Sequence, residues 1–355
     1  MWFLKYVKPF FVLYLLCLQS YVFPQDNSIS MNHYTANGFK NPYPTYKERS
    51  FADILKWLVW DKISGKKPAR PDYYDFKAAH NDGAFLRNNR DKFTITWIGH
   101  STVLLQLNGV NILTDPIWSE RASPFSFIGP KRYMPPGVSL KNLPDIDIIL
   151  ISHNHYDHLD LRTIRRFGND VFYLVPLGIG KYLDALGITR YIELDWWDEF
   201  TFNDVRFCCT PAQHESGRFD NNDNTTLWCG WAVLSPKGRF YFAGDTGYFA
   251  GFKEIGNKYG PFDAAALPIG AYLPRWFMEP VHTGPKEAVQ AMEDVKADNM
   301  LAVHWGTFEL GDEPLDDPPK RLMEIVKKRN LDEKRFWIFD FGETRIVKDI
   351  TLQVD

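Results

Sequence analysis

The sequence predicts an α/β fold built as a sandwich, and three observations lead there. Short apolar runs separated by turns begin near residue 92, helix-like stretches interrupt them in both halves, and the histidine- and aspartate-bearing segments each follow an apolar run. With 355 residues, 45% of them hydrophobic, the chain has ample material to bury such a core.

The strands come in order. FTITWIG, STVLLQLNG and VNILTD form an opening meander, and DIDIILIS, DVFYLVP and RYIEL complete the first half. VRFCCTP, LWCGWAVLSP, RFYFAGD, DAAALPI, MLAVH, KRFWIFD and TRIVK make up the second. Helices are expected at 160–168, 178–186, 284–296 and 317–329. Pro285 suits a first helical turn, and so do Pro318 and Pro319, because the missing N–H has no helical partner there. No short-period repeat and no low-complexity segment interrupts the pattern.

Upstream of this domain, taken as 92–355, two further regions are expected. Residues 1–25 read as an export signal, with Lys5 and Lys8 ahead of an apolar stretch from Phe10 to Leu18. That stretch is about half the ~20 residues a spanning helix requires. It is followed by no clean small-x-small cleavage site, so an uncleaved N-terminal anchor is the alternative. The expected location is therefore periplasmic, secreted or membrane-associated. Residues 26–91 read as an arm. Its segment 51–64 gathers Ile54, Leu55, Trp57, Leu58 and Trp60 on a helix suited to docking on the domain or lying in a bilayer surface. GKKPARPDYYD then serves as a linker.

Composition narrows the function. A formal net charge of −3 and the lack of a long basic run give no general attraction to nucleic acid. Aromatic residues make up 16% of the chain, enough to fill a sandwich core and to line apolar clefts or a membrane-facing surface. Cys208, Cys209 and Cys229 form no disulfide framework, and neighbours on a strand face opposite ways, so they are expected to pack as small apolar groups.

The segment SHNHYDHLD, residues 152–160, carries the chemistry. His153, His155, Asp157 and His158 fall within six positions at the end of the apolar run DIDIILI. Burying three imidazoles and a carboxylate unpaired would be costly, and a divalent metal resolves that cost. His214, Asp245 and His304 share the same placement, each just past an apolar run, where open α/β sheets assemble their sites. Two ions are expected: His153, His155 and His214 on the first, Asp157, His158 and His304 on the second, with Asp245 bridging. Such an imidazole-rich set suits Zn²⁺, and its ligand types also accommodate Fe or Mn. Asp115 is expected to orient a ligand histidine, and His100 either does the same or caps its turn.

The HxHxDH run with its downstream His, Asp and His resembles the metallo-β-lactamase superfamily, which implies a four-layer αββα sandwich with a dinuclear site at one edge. WIGHSTVLLQ, LTDPIWSERASP, GPKRY, ISHNHYDHLD, ELDWWDE, FAGDTGY, IGAYLPRWFM and HWGTF resemble, in order, the N-acylphosphatidylethanolamine-hydrolysing phospholipase D family. The resemblance implies two zinc ions, a phospholipid substrate cleaved to phosphatidic acid and N-acylethanolamine, a membrane surface as partner and a homodimer. It implies catalytic roles for Asp157, Asp245 and His282, the last as a hydrogen-bond or proton donor near the phosphate. Val281 departs from the polar residue expected beside that histidine, and Arg275, Trp276, Phe277 and Met278, a cation beside an apolar trio, offer either a lipid-contacting loop or core packing. The main rival is a lactonase or other small-molecule hydrolase on the same core. A nuclease is a weaker rival because the chain has no long basic run, and so is a metal-stabilised scaffold, because seven ligands exceed the four a structural zinc needs.

Overall fold

Alternation along the opening meander sends side chains to two faces, and both faces are covered. Leu104, Leu113 and Ile149 point to one side, into a cluster with Leu86, Ile164 and Leu183. Val103, Leu105, Ile112, Ile148 and Leu150 alternate with them and are also fully buried. The structure is a computed structural model that describes residues 32–43, 52–53, 56–57, 71, 73–218 and 224–349.

A small hairpin of β1 (Tyr34–Thr35) and β2 (Gly38–Phe39) opens the described chain. The first strand group is β3 (Lys92–Gly99), β4 (Thr102–Leu107), β5 (Val110–Thr114), β6 (Ile148–Leu150), β7 (Phe172–Pro176) and β8 (Tyr191–Leu194). The second is β9 (Glu199–Phe202), β10 (Val205–Thr210), β11 (Gly230–Ser235), β12 (Gly238–Phe242), β13 (Ala264–Pro268), β14 (Met300–Val303) and β15 (Phe336–Trp337). The last strand, β16 (Thr344–Asp349), returns to pair with β3. Two seven-stranded sheets result, ordered β16-β3-β4-β5-β6-β7-β8 and β15-β14-β13-β12-β11-β10-β9. Each is antiparallel at one end and parallel at the other.

Helices α1 (Ala84–Asn88), α2 (Leu161–Phe167) and α3 (Gly180–Asp184) close the outer cluster on the first sheet. On the second sheet come α4 (Gly251–Tyr259), α5 (Arg275–Met278), α6 (Pro285–Asp294) and α7 (Asp317–Lys328), of which α6 lies on β13 and packs against α4 and α7. The sheets meet through side chains such as Trp231, whose indole donates to the Ile151 carbonyl at 2.9 Å. This is the αββα sandwich that was expected.

The four expected helices appear, trimmed by one or two residues at most of their ends. Missed were β1, β2, β9, α1, α4 and α5. The sequence of α4, GFKEIGNKY, has two glycines that weaken its helical signal. Tertiary packing requires one of them: a Cβ on Gly256 would lie 2.1 Å from the Asp294 carbonyl oxygen of α6.

The expected signal or anchor at 1–25 lies outside the described residues, as does most of 51–64. Trp57 is described. Its indole donates to Asp312 at 3.0 Å and its ring stacks on Phe277 with centroids 4.9 Å apart, so this residue docks on the domain. Among the described residues no helix is long and apolar enough to cross a membrane. Cys208, Cys209 and Cys229 are free and buried, and burial raises all three thiol pKa values.

Candidate metal centre

One edge of the sandwich collects the chemistry because the parallel strands all end there. Asp115 follows β5, the 152–160 loop follows β6, Asp245 follows β12, and His304 follows β14. His214 joins them because β10 and β12 are both antiparallel to β11 and so run the same way. The loop after β13 supplies His282, and the β3–β4 turn supplies His100. Several of these positions hold non-glycine backbone in the left-handed region: His100 at φ 55°, Asp115 at 34°, Ala271 at 59° and His304 at 60°. Each such residue costs roughly 1–3 kcal/mol and persists where surrounding structure fixes it, as it often does at functional sites.

The seven side chains anticipated as ligands converge in two sets. In the first, His153 Nε2 lies 2.9 Å from His155 Nδ1, which lies 3.2 Å from His214 Nε2. In the second, Asp157 Oδ2 is 3.2 Å from His158 Nε2 and 3.3 Å from His304 Nε2. Asp245 Oδ2 completes that set, 3.1 Å from His158 Nε2 and 3.0 Å from His304 Nε2. It also lies 4.0 Å from His214 Nε2, so the same oxygen faces both sets. Tetrahedral ligands at zinc distances sit about 3.3 Å from one another, which is the spacing seen here. A further fit is the buried Asp245 Oδ1, which has no hydrogen-bond partner. Both sets therefore suit a metal ion.

Neighbouring polar groups aim the imidazoles. Asp115 Oδ2 is 2.6 Å from His158 Nδ1, while its Oδ1 accepts from the Ser152 N–H at 2.7 Å. His214 Nδ1 donates to the Val281 carbonyl at 2.8 Å, and Ser152 Oγ is 2.9 Å from His153 Nδ1. Each contact directs the other ring nitrogen into the cluster, which is how a ligand histidine is oriented. His100 Nε2 lies 2.8 Å from Asp157 Oδ2, so it orients a carboxylate of the cluster rather than the histidine expected.

Charge balance in the cluster is tight. Burial alone would lower the pKa of His158, but Asp245, Asp157 and Asp115 outweigh it and hold it well above the ordinary value. For His304 burial also pulls down, yet Asp245 and Asp157 raise it to about 9. Burial keeps His153 and His214 well below the ordinary value, with His158, His155 and His282 among the neighbours adding repulsion. Burial would raise Asp157 and Asp245, and the surrounding histidines reverse this, leaving both well below the carboxylate range.

His282 sits beside the cluster, its Nδ1 3.8 Å from Asp245 Oδ2 and its ring 5.1 Å from that of His214, with the side chain 13% exposed. The 275–278 segment is a short helix in which Phe277 and Met278 are buried, so only Trp276 remains open for the expected lipid contact. Arg275 turns to Glu279 and Glu287, at 3.5 and 3.6 Å. One supporting residue escaped the sequence reading. Arg218 donates to the carbonyls of Asn154 and Leu159 at 2.6 and 3.0 Å, and lies 3.9 Å over the Tyr156 ring, tying together the two ends of the histidine loop. A single arginine bonded to main-chain carbonyls leaves no periodic or motif signal.

Comparison with known proteins agrees with this geometry. The family model described as a beta-lactamase superfamily domain matches residues 110–305, which span the ligand-bearing loops. An N-acyl-phosphatidylethanolamine-hydrolyzing phospholipase D of Caenorhabditis elegans is 45% identical over 279 residues, covering 74% of this chain and 78% of that one. An uncharacterised protein of Mycobacterium tuberculosis is 40% identical over 307 residues, 81% of each chain. Among solved structures, a metallo hydrolase of Ignicoccus hospitalis superposes with a TM-score of 0.54 at 23% identity, covering 72% of this chain and 97% of that one, a likeness of fold. The chain is thus a metal-dependent hydrolase of the metallo-β-lactamase superfamily, and within it belongs to the N-acylphosphatidylethanolamine-hydrolysing phospholipase D family.

Proposed function

We propose that the protein is a dinuclear, zinc-dependent phosphodiesterase that hydrolyses N-acylphosphatidylethanolamine-type phospholipids to phosphatidic acid and N-acylethanolamine. The observation that carries the two-metal reading is Asp245 Oδ2, set between an all-imidazole trio and a second set of two imidazoles and a carboxylate. The substrate class comes over from the nematode relative's named activity, supported by that relative's identity across most of both chains.

His153, His155 and His214 would hold one ion and Asp157, His158 and His304 the other, with Asp245 shared. Bound there, the ions supply an activated water and positive charge toward the phosphate oxygens. The remaining work belongs to the protein. Asp115, Ser152 and the Val281 carbonyl fix which nitrogen each histidine presents. His100 holds the Asp157 carboxylate, and Arg218 closes the loop beneath it. His282, beside Asp245 and partly exposed, donates a hydrogen bond or proton toward the departing ethanolamine oxygen.

The test is product analysis with metal-loaded protein on N-acylphosphatidylethanolamine, plain phosphatidylethanolamine and a lactone panel. Release of N-acylethanolamine with phosphatidic acid is expected. Lactone turnover without phosphodiester cleavage would overturn the reading in favour of the small-molecule hydrolase. His282→Ala should lower kcat by about 10²–10⁴-fold at unchanged metal content. A silent variant removes His282 from the reaction.

A further inference from the structure

His214 lies beyond the end of β10, where the sheet no longer supplies hydrogen-bond partners for its main chain. It is buried, and buried peptide groups still need partners. His158 and His304 find theirs within the domain: the His158 N–H donates to the His155 carbonyl at 3.1 Å, and the His304 N–H to the His100 carbonyl at 3.0 Å. His214 instead uses one side chain 173 positions earlier. The Asn41 carboxamide donates through Nδ2 to the His214 carbonyl at 2.6 Å, and its Oδ1 accepts from the His214 N–H at 3.2 Å. A carboxamide carries a donor and an acceptor side by side, so it pairs with this residue as a neighbouring strand would.

The arm that carries Asn41 is held on both sides of it. Ahead of Asn41, His33 Nε2 lies 2.8 Å from Asp195 Oδ1, and the His33 ring lies 4.4 Å from that of Trp196. The Phe39 N–H donates to the Asn224 carbonyl at 2.7 Å, an approach Gly38 permits, because a Cβ there would lie 2.1 Å from the same oxygen. Asn224 in turn closes on Ser216, two residues past His214: its N–H donates to the Ser216 carbonyl at 2.8 Å, and its Oδ1 accepts from the Ser216 N–H at 3.0 Å. Behind Asn41, the buried Tyr43 sets its ring edge-on to Phe249 at 4.7 Å and donates its hydroxyl to Glu254 of α4 at 3.3 Å. With the arm fixed on both flanks, the carboxamide has a set position to offer, as a residue supporting a ligand requires. Control of His214 is thus divided. The Val281 carbonyl sets the rotation of its ring, and Asn41 sets the main chain that carries it.

We propose that Asn41 is a positioning residue of the metal centre, and that through it the N-terminal arm is a working part of one ion's site. The inference rests on the dinuclear reading, because it assigns the arm to the ion held by His153, His155 and His214. The second set draws its support from Asp115, His100 and the main chain of the domain. Removing the carboxamide leaves the His214 N–H and carbonyl without their partner, so the ligand loses its fixed place and the first ion its full affinity. Groups that orient metal ligands are worth about 10–100-fold in affinity.

The experiment titrates the whole chain with Zn²⁺ against a chromogenic chelator and reads the affinity of each ion. Asn41→Ala should weaken one ion about 10–100-fold and leave the other at its wild-type affinity. Asn41→Asp keeps the shape and the acceptor but sets a carboxylate oxygen against the His214 carbonyl. It should weaken the same ion, and it carries the test if the alanine variant fails to fold. His155→Ala removes a ligand of the first set and so identifies the ion: adding Asn41→Ala to it should weaken the remaining ion no further. Tyr43→Phe takes one hydrogen bond from the arm while leaving Asn41 in place, and should hold both ions as the wild type does. Asn41 variants with a lowered Tm and unchanged affinity for both ions overturn the proposal and leave the arm a structural brace. Equal weakening of both ions, or a further loss in the His155→Ala background, overturns it too. A wild type that holds a single ion counts against the dinuclear reading; the role of Asn41 then stands if Asn41→Ala weakens that ion and falls if it does not.

Discussion

Asp115 shows how one side chain outside the ligand set controls it. Its carboxylate lies 2.6 Å from His158 Nδ1 and accepts from the Ser152 N–H, so the other His158 nitrogen faces Asp157 and Asp245. Asp115→Asn introduces an amide that cannot serve both partners as an acceptor, and metal affinity should fall about 10–100-fold. Competition with a chromogenic chelator measures this, and an unchanged affinity would remove Asp115 from the account. A second expectation concerns protons. The metal-free pKa is about 9 for His304 and well above the ordinary value for His158, so both rings are protonated at pH 7, below those values. Coordination needs their lone pairs, so loading metal at pH 7 should release protons. Calorimetry in buffers of different ionisation enthalpy counts them, and none released would contradict the charge balance described. At this scale the sequence was most legible where ligands crowd into SHNHYDHLD. The Val281 carbonyl that orients His214 was invisible, because a main-chain oxygen has no residue identity.

Elements place these residues, and their legibility depended on how local their signal was. The β3–β5 meander and the α6 and α7 helices announce themselves through alternation, prolines and length. By contrast α4 is set by packing: Gly256 is there because α6 passes too close for a side chain. Gly256→Ala would improve intrinsic helix propensity yet should destabilise the protein by about 1–3 kcal/mol, since main-chain atoms of α6 cannot yield as a flexible side chain would. Thermal unfolding decides between the two effects, and a raised Tm would show that α4 and α6 separate easily. The 275–278 segment taught the opposite lesson. An apolar trio that read as either a lipid contact or core packing is largely spent on packing, with Phe277 stacked on Trp57.

For the whole molecule, the two sheets with helices on their outer faces follow from alternation and burial, and the site's position follows from where the parallel strands end. The sequence could place each ligand just past a strand, but the pairing of distant strands that brings His214 and His304 to the same edge becomes visible only in the fold. Because the ligands are drawn from loops of both sheets, bound metal should hold the sandwich together. Chelation should lower Tm, and restored Zn²⁺ at about 1,000 times its Kd should return about 4 kcal/mol of stability. An unchanged Tm would mean that metal binding is uncoupled from folding. The central claim is that Asp245 joins two metal sets on one chain, and elemental analysis of pure, active protein tests it most directly. Two transition-metal ions per chain are expected. A full complement of one, or none, in fully active protein would contradict it.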